Sequence, residues 1–134
     1  MLRRFLWLFL FFSVSCGFAT GSLNEPVPSG TLISQGTFSG DASGRALIYR
    51  QGTSAPYTYV LRLENLSAPD ETTHIRVRNA TDSVDSILVL RSTSGQQNYT
   101  LSSTGVLTWT TVYLQDNANP MSSTSIATAN LISI

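Results

Sequence analysis

The sequence predicts an all-β protein, an antiparallel β-sandwich or flattened barrel of about eight strands that follows an N-terminal signal peptide. Three observations predict it. Beyond residue 30, apolar residues recur at every second position, the period of a strand with one buried face. Clusters of Gly, Pro, Asn, Asp and Ser interrupt that alternation at short intervals, where the backbone must reverse. No window carries a helical stripe, and the high Ser and Thr content disfavours helices while suiting sheet surfaces.

The first element in chain order is the leader. Met1-Leu2-Arg3-Arg4 supplies a positive start, Phe5-Leu6-Trp7-Leu8-Phe9-Leu10-Phe11-Phe12 an apolar run, and small residues follow, the order of a secretory signal peptide over residues 1–15. Ser13, Ser15, Cys16 and Gly17 interrupt the run before the roughly 20 apolar residues that a membrane-spanning helix needs. Two cleavage positions compete. Gly17-Phe18-Ala19 has the small residues of an ordinary cleavage site, whereas Ser13-Val14-Ser15-Cys16 resembles the lipobox of bacterial lipoproteins, whose cysteine is diacylated and becomes the new N-terminus. Ser13 stands where leucine is usual in that motif. Cys16 is the chain's one cysteine, and lipid attachment accounts for it without an intermolecular disulfide or a free thiol.

Residues 16–29 carry Gly17, Gly21, Pro26 and Pro28 among Ser and Thr with no apolar periodicity, and read as a flexible tether. The folded domain is expected over residues 30–134. Its clearest strand is 57–64, in which Tyr59, Leu61 and Leu63 share one face and Arg62 and Glu64 the other. In 74–78, Ile75 and Val77 point inward and His74, Arg76 and Arg78 outward. The remaining strands are expected at 32–38, 45–51, 87–91, 97–101, 109–115 and 125–132, separated by the turn clusters 39–44, 52–56, 68–71, 79–86, 92–95 and 116–123.

Composition narrows the chemistry. A length of 134 residues accommodates one domain. All eight basic residues are arginine, which removes Schiff-base chemistry, a lysine general base and the phosphate-binding P-loop. One cysteine and one histidine exclude a Cys/His zinc site and an intramolecular disulfide. Loss of residues 1–15 takes Arg3 and Arg4 away and leaves six arginines against eight acids, a charge without the basic patch that nucleic acid requires.

Several side-chain groups are candidates for chemistry, and each has a plainer reading. His74, beside Asp70, Glu71, Thr72 and Thr73, reads as a solvated histidine at a strand start, because no nucleophile motif surrounds it. Asp82 and Asp85 with Asp70 and Glu71 would crowd oxygens around calcium if their loops met, but no Asp-x-Asp-x-Asp-Gly loop is present. Arg76 and Arg78, with Arg62 on a possible neighbouring strand, offer an anion or sugar-acid site; paired charges on a solvated sheet face are the commoner arrangement. Trp109, Tyr57, Tyr59, Tyr99 and Tyr113 offer a carbohydrate platform, although their alternation with apolar residues assigns most of them to the core. Three sequons, at Asn65, Asn79 and Asn98, are expected by chance in so Ser- and Thr-rich a chain.

A wider resemblance runs through the domain. Gly36-Thr37-Phe38, Gly44-Arg45-Ala46-Leu47-Ile48-Tyr49, Val60-Leu61-Arg62-Leu63-Glu64-Asn65-Leu66, Ala68-Pro69-Asp70, Gln97-Asn98-Tyr99-Thr100-Leu101, Thr111-Val112-Tyr113-Leu114 and Ala127-Thr128-Ala129-Asn130-Leu131 occur in an order that resembles the DM-thirteen (electron transfer DM domain) family over residues 30–134. The resemblance implies a small extracytoplasmic β domain with a proposed electron-transfer role, in which a cysteine of the penultimate strand is the suspected redox residue. Here the matching positions hold Gln115 and Asp116, so no thiol is available there to cycle with a disulfide.

The function expected from these readings is that of a non-enzymatic interaction or accessory module, anchored to the extracytoplasmic membrane face by a lipid on Cys16. Neither a cofactor nor catalytic residues are expected. The alternatives are an electron-transfer or redox accessory protein acting through a bound cofactor or partner, and a periplasmic or secreted soluble form of the same domain.

Overall fold

In the computed structural model, residues 21–80, 85–101, 108–119 and 125–134 are described; the expected leader, Cys16 and Asp82 lie outside them. Ten strands follow in order: β1 (Leu23–Asn24), β2 (Thr31–Gly40), β3 (Ser43–Gln51), β4 (Thr58–Ser67), β5 (His74–Asn79), β6 (Ser86–Val89), β7 (Ser94–Leu101), β8 (Trp109–Gln115), β9 (Ser125–Asn130) and β10 (Ile132–Ser133). There is no helix among the described residues. Each of the eight expected strands has its counterpart in β2 to β9, with ends displaced by up to three residues.

The strands form one continuous sheet in the order β1-β7-β4-β3-β2-β9-β8-β5-β6, with β10 also on β2, and the sheet curls into a half-barrel. Sequence-adjacent hairpins β2-β3, β3-β4, β5-β6 and β8-β9 account for four of the pairings, all antiparallel. The expectation of a wholly antiparallel sheet needs one correction, because β1 runs parallel to β7. No hairpin joins those two strands, so turn geometry does not dictate their relative direction.

Strand β2 joins the two wings. Its residues 31–37 pair with β3, and Phe38, Ser39 and Gly40 pair with Ala129, Thr128 and Ala127 of β9. On that second edge β10 continues the register of β9, with Gln35 opposite Ile132 and Ser34 opposite Ser133. Between β9 and β10 the ladder turns away from β2, and the Leu131 amide donates to the Thr110 carbonyl at 2.9 Å. The crossing brings backbones into unusual proximity at Gly36. A Cβ there would lie 2.2 Å from the Asn130 carbonyl oxygen, a contact that only glycine avoids.

The core fills the concave side. Ala46, Ile48, Tyr59, Leu61, Leu63 and Leu101 come from one wing, and Ile75, Val77, Val112, Leu114, Ala127 and Ala129 from the other; all are buried in one cluster. Burying each large aliphatic side chain contributes about 1.5–3 kcal/mol, so the two wings are held facing each other by the surface they jointly remove from water. One polar side chain is fully enclosed at the β6–β7 connection. Gln97 donates from Nε2 to the Ser92 carbonyl at 2.7 Å, and its Oε1 accepts from the Tyr99 hydroxyl at 2.5 Å. Burial raises the Tyr99 pKa and keeps that hydroxyl a donor.

Substitution of Gly36→Ala is expected to push β2 and the 130–131 backbone apart and cost about 1–3 kcal/mol. Urea unfolding followed by far-UV circular dichroism measures it; an unchanged midpoint would show that the crossing has slack.

Candidate functional site

Charged side chains on this sheet fall into three groups, and five of the six described arginines face a carboxylate. In the first group Arg91 grips Glu25 with both terminal nitrogens, at 2.8 and 2.5 Å, while the Asn98 amide donates to Glu25 Oε1 at 2.8 Å. Arg62, nearly buried, donates to the carbonyls of Glu25 and Pro26 at 2.9 and 3.0 Å and to Glu64 Oε2 at 2.9 Å. Arg45 closes the row on the other oxygen of Glu64. The Asn98 amide group is spent on the same segment, donating to the Pro26 carbonyl at 2.7 Å. Part of the segment expected as tether is therefore laid along β7 and clamped there.

Gly95 makes room for this arm. Its φ of +96° and a would-be Cβ 2.0 Å from the Leu23 carbonyl oxygen both require glycine. The Arg91 hydrogen bonds, reinforced by the Asn98 amide, pull the Glu25 pKa from its ordinary 4.5 down to about 2. Glu64 is lowered as well, chiefly by its hydrogen bond from Arg62.

The second group is Arg76, Arg78 and Asp85. Arg76 and Arg78 meet the two oxygens of Asp85 at 3.0 and 3.5 Å, and both guanidinium groups lie over the Tyr113 ring, at 4.1 and 5.5 Å from its centroid. Asp85 thus takes the place of the external anion weighed for Arg76 and Arg78. Arg62 does not join them, because β4 and β5 sit in different wings of the sheet.

The third group is a cleft of about 130 Å³ at one end of the concave face, lined by Ile33, Ser34, Arg50, Tyr59, Thr108, Trp109 and Ser133. Register explains how residues far apart in sequence meet there. Arg50 opposes Tyr59 across β3 and β4, and Ser34 opposes Ile48 across β2 and β3, so both point to the core side. Each of two strands carries an irregularity beside the cleft: the β2–β3 register shifts between Leu32 and Ser34, and the β5–β8 register shifts between Arg78 and Asn79, opposite Thr111 and Trp109. Such bulges re-aim side chains, which is how Trp109 turns inward, whereas Ser34 keeps the inward parity of Gly36 and Phe38. Trp109 packs edge-on against Tyr59 with centroids 5.8 Å apart. Arg50 lies 4.7 Å above the Tyr57 ring.

Three residues of its lining carry a polar atom that is closed off from solvent and has no hydrogen-bond partner: Ser34 Oγ, Arg50 Nε and Trp109 Nε1. Ser34 and Trp109 are 4% and 5% exposed. Arg50 is also the one described arginine without a carboxylate in ion-pair range.

The other expected residues are dispersed. His74 is partly buried, with Nδ1 2.8 Å from the Thr73 hydroxyl. Asp70 and Glu71 precede the His74 end of β5, whereas Asp85 adjoins the opposite end, so their loops do not converge on a cation. No acidic or His/Cys cluster suited to a metal occurs among the described residues. Trp109, Tyr59 and Tyr99 are buried and Tyr57 and Tyr113 partly so, which removes the open platform a sugar would need. Asn79 is buried and Asn98 holds the arm, leaving Asn65 as the exposed sequon asparagine. Gln115 is buried with Oε1 unpartnered, and Asp116 beside it is exposed.

Arg50 and Ser34 were not candidates on the sequence. The signal was there for Arg50, which shares the alternation parity of Ala46 and Ile48 and therefore falls on the inward face of its strand. No family model, no curated protein and no solved structure matches the chain.

Because Glu25 binds its proton more weakly when docked, the arm keeps its full attachment above about pH 4.5 and loses it as pH falls towards 2. NMR resonances of Leu23 and Asn24 are expected to move to undocked positions over that window. In Glu25→Gln the arm should be loosened already at neutral pH and show no acid step of its own; a wild-type-like acid step in that variant would assign the transition to Glu64 instead.

Proposed function

We propose that the chain is a non-enzymatic, lipid-anchored interaction or accessory module on the extracytoplasmic face of a membrane, tethered through Cys16. The observation that carries this reading is the clamped arm. With residues 21–26 fixed to β7 by Arg91, Arg62 and Asn98, a lipid on Cys16 would be joined to the folded body through the four residues 17–20, a reach of at most about 18 Å. The body would then ride close to the bilayer with its β1–β7 edge towards it.

The leader order and the Ser13-Val14-Ser15-Cys16 motif support the address. A diacylated cysteine also meets the physical requirement for stable attachment, since one acyl chain alone binds only reversibly. Glu25 and Glu64 are held as anions by Arg91, Arg62 and Arg45, which commits both carboxylates to fixing the arm and the row beside it. The motif order that resembles the DM-thirteen family supports an extracytoplasmic β domain, while Gln115 and Asp116, where that family's suspected redox cysteine would stand, favour the accessory reading over electron transfer.

Expression of the full chain in a bacterial host, followed by intact mass of the membrane-bound product, tests this. The expected species begins at an acylated Cys16, and Cys16→Ser should release the domain from the membrane fraction. A product beginning near Thr20, or membrane association unchanged in Cys16→Ser, overturns the anchor.

A further inference from the structure

We infer that the outer edge of β6 is a self-recognition surface, through which two copies of the chain pair antiparallel about Leu88 and continue one sheet into the other. This rests on the sheet edge alone and stands whether or not Cys16 carries a lipid.

β6 ends the sheet, with β5 on one side and no strand on the other among the described residues. Which of its backbone groups are free follows from the ladder. His74 stands opposite Val89 and Arg76 opposite Ile87, and the Leu90 amide donates straight across to the Thr73 carbonyl at 2.9 Å. Bonded and non-bonded pairs alternate along antiparallel strands, so Ser86 and Leu88, like Leu90, turn their backbone groups towards β5. Those of Ile87 and Val89 point away from the sheet. The other outlying strands are blunted as natural edges are, since β1 and β10 have two residues each and Pro26 follows β1 closely. β6 is longer, has no proline and no charge in Ser86-Ile87-Leu88-Val89, and leaves Val89 67% exposed.

The occupant that fits this edge is a second copy of it. With Leu88 opposite its own symmetry mate, Ile87 of each copy stands opposite Val89 of the other, and the free N–H and C=O groups meet in reciprocal hydrogen bonds. The β-branched side chains then lie side by side on the convex face. The two Leu88 side chains, each packed against its own core, adjoin on the concave one. Charge sets the direction. At the Ser86 end, Arg76 and Arg78 outnumber Asp85; at the Val89 end, Arg91 is matched by Glu25, and the exposed Asp70, Glu71 and Asp116 remain. Antiparallel pairing sets the basic end of each edge against the acidic end of the other, whereas parallel pairing would set like against like. The contact is also symmetric, so it closes as a dimer and does not propagate.

So short an interface is weak, with a Kd on the order of 0.1–1 mM, and a crosslink captures it. One version of the full chain carries Ile87→Cys and a second carries Val89→Cys, both with Cys16→Ser so that each has a single thiol. Residues opposite each other in a bonded pair have Cα atoms about 5.5 Å apart, within disulfide reach. Purified in detergent, mixed and oxidised with copper phenanthroline, the two versions are expected to give the mixed disulfide dimer about fivefold above either self-crosslinked dimer. Val89→Pro, added to the Ile87→Cys chain, removes only an N–H that points off the sheet, so the fold is kept and far-UV circular dichroism checks it; the mixed dimer should fall to the level of the self-crosslinked ones. The comparison of the three dimers stands without that variant. No crosslink, equal yields of all three dimers, or a predominant self-crosslinked dimer overturns the inference. So does a mixed dimer that survives Val89→Pro in a folded chain, which would place the contact on another surface.

Discussion

The whole sheet turns on β2, the strand that must satisfy partners from both wings. Its first seven residues pair with β3, its last three with β9, and its second edge also receives β10. Such double duty is possible only if the backbone from residue 130 passes against Gly36 with no side chain between them. From that crossing follow the curl of the sheet and the burial of two sets of apolar residues against each other. The cleft follows too, because Ser34 and Ser133 lie two to three residues from the crossing on the paired strands.

Polar groups serve different purposes in different parts of this curl. At the β6–β7 connection the buried Gln97 has its donor and acceptor capacity used by Ser92 and Tyr99, so enclosing an amide there defines a loop conformation at little cost. Along the arm, exposed ion pairs contribute modestly one by one, but Arg91, Arg62 and Asn98 act on the same few residues and together order a segment whose composition is that of a linker. At the cleft the pattern reverses. Ser34 Oγ, Arg50 Nε and Trp109 Nε1 are closed off there without partners, so their desolvation is uncompensated.

Much of this was readable along the chain, and the exceptions share a cause. The eight strands and the inward set Tyr59, Leu61, Leu63, Ile75 and Val77 follow from alternation, because successive side chains on a strand point to opposite faces whatever the strand pairs with. Arg62 departs from that rule: it lies on the outward face as expected, yet is nearly buried, because the arm covers it. β1 was missed because two residues of pairing leave no periodic trace, and Trp109 faces the cleft because a register shift beside it breaks the parity that its neighbours Val112 and Leu114 obey. Arg50 was legible as an inward arginine, but that no described carboxylate pairs with it was not.

By itself the sequence determined the class of structure, the approximate strands, the residues that must be buried and the reactions ruled out by a chain with no lysine, one histidine and one cysteine. These are properties of residue type and of near-neighbour geometry. Tertiary structure decided how the charges were matched. Glu25 meets Arg91 across 66 positions and Arg62 reaches the Pro26 carbonyl across 36, whereas Arg50 meets no acid among the described residues. Pairing at such separations depends on strand order, bulges and the point where two backbones cross, and none of these is set by local preference.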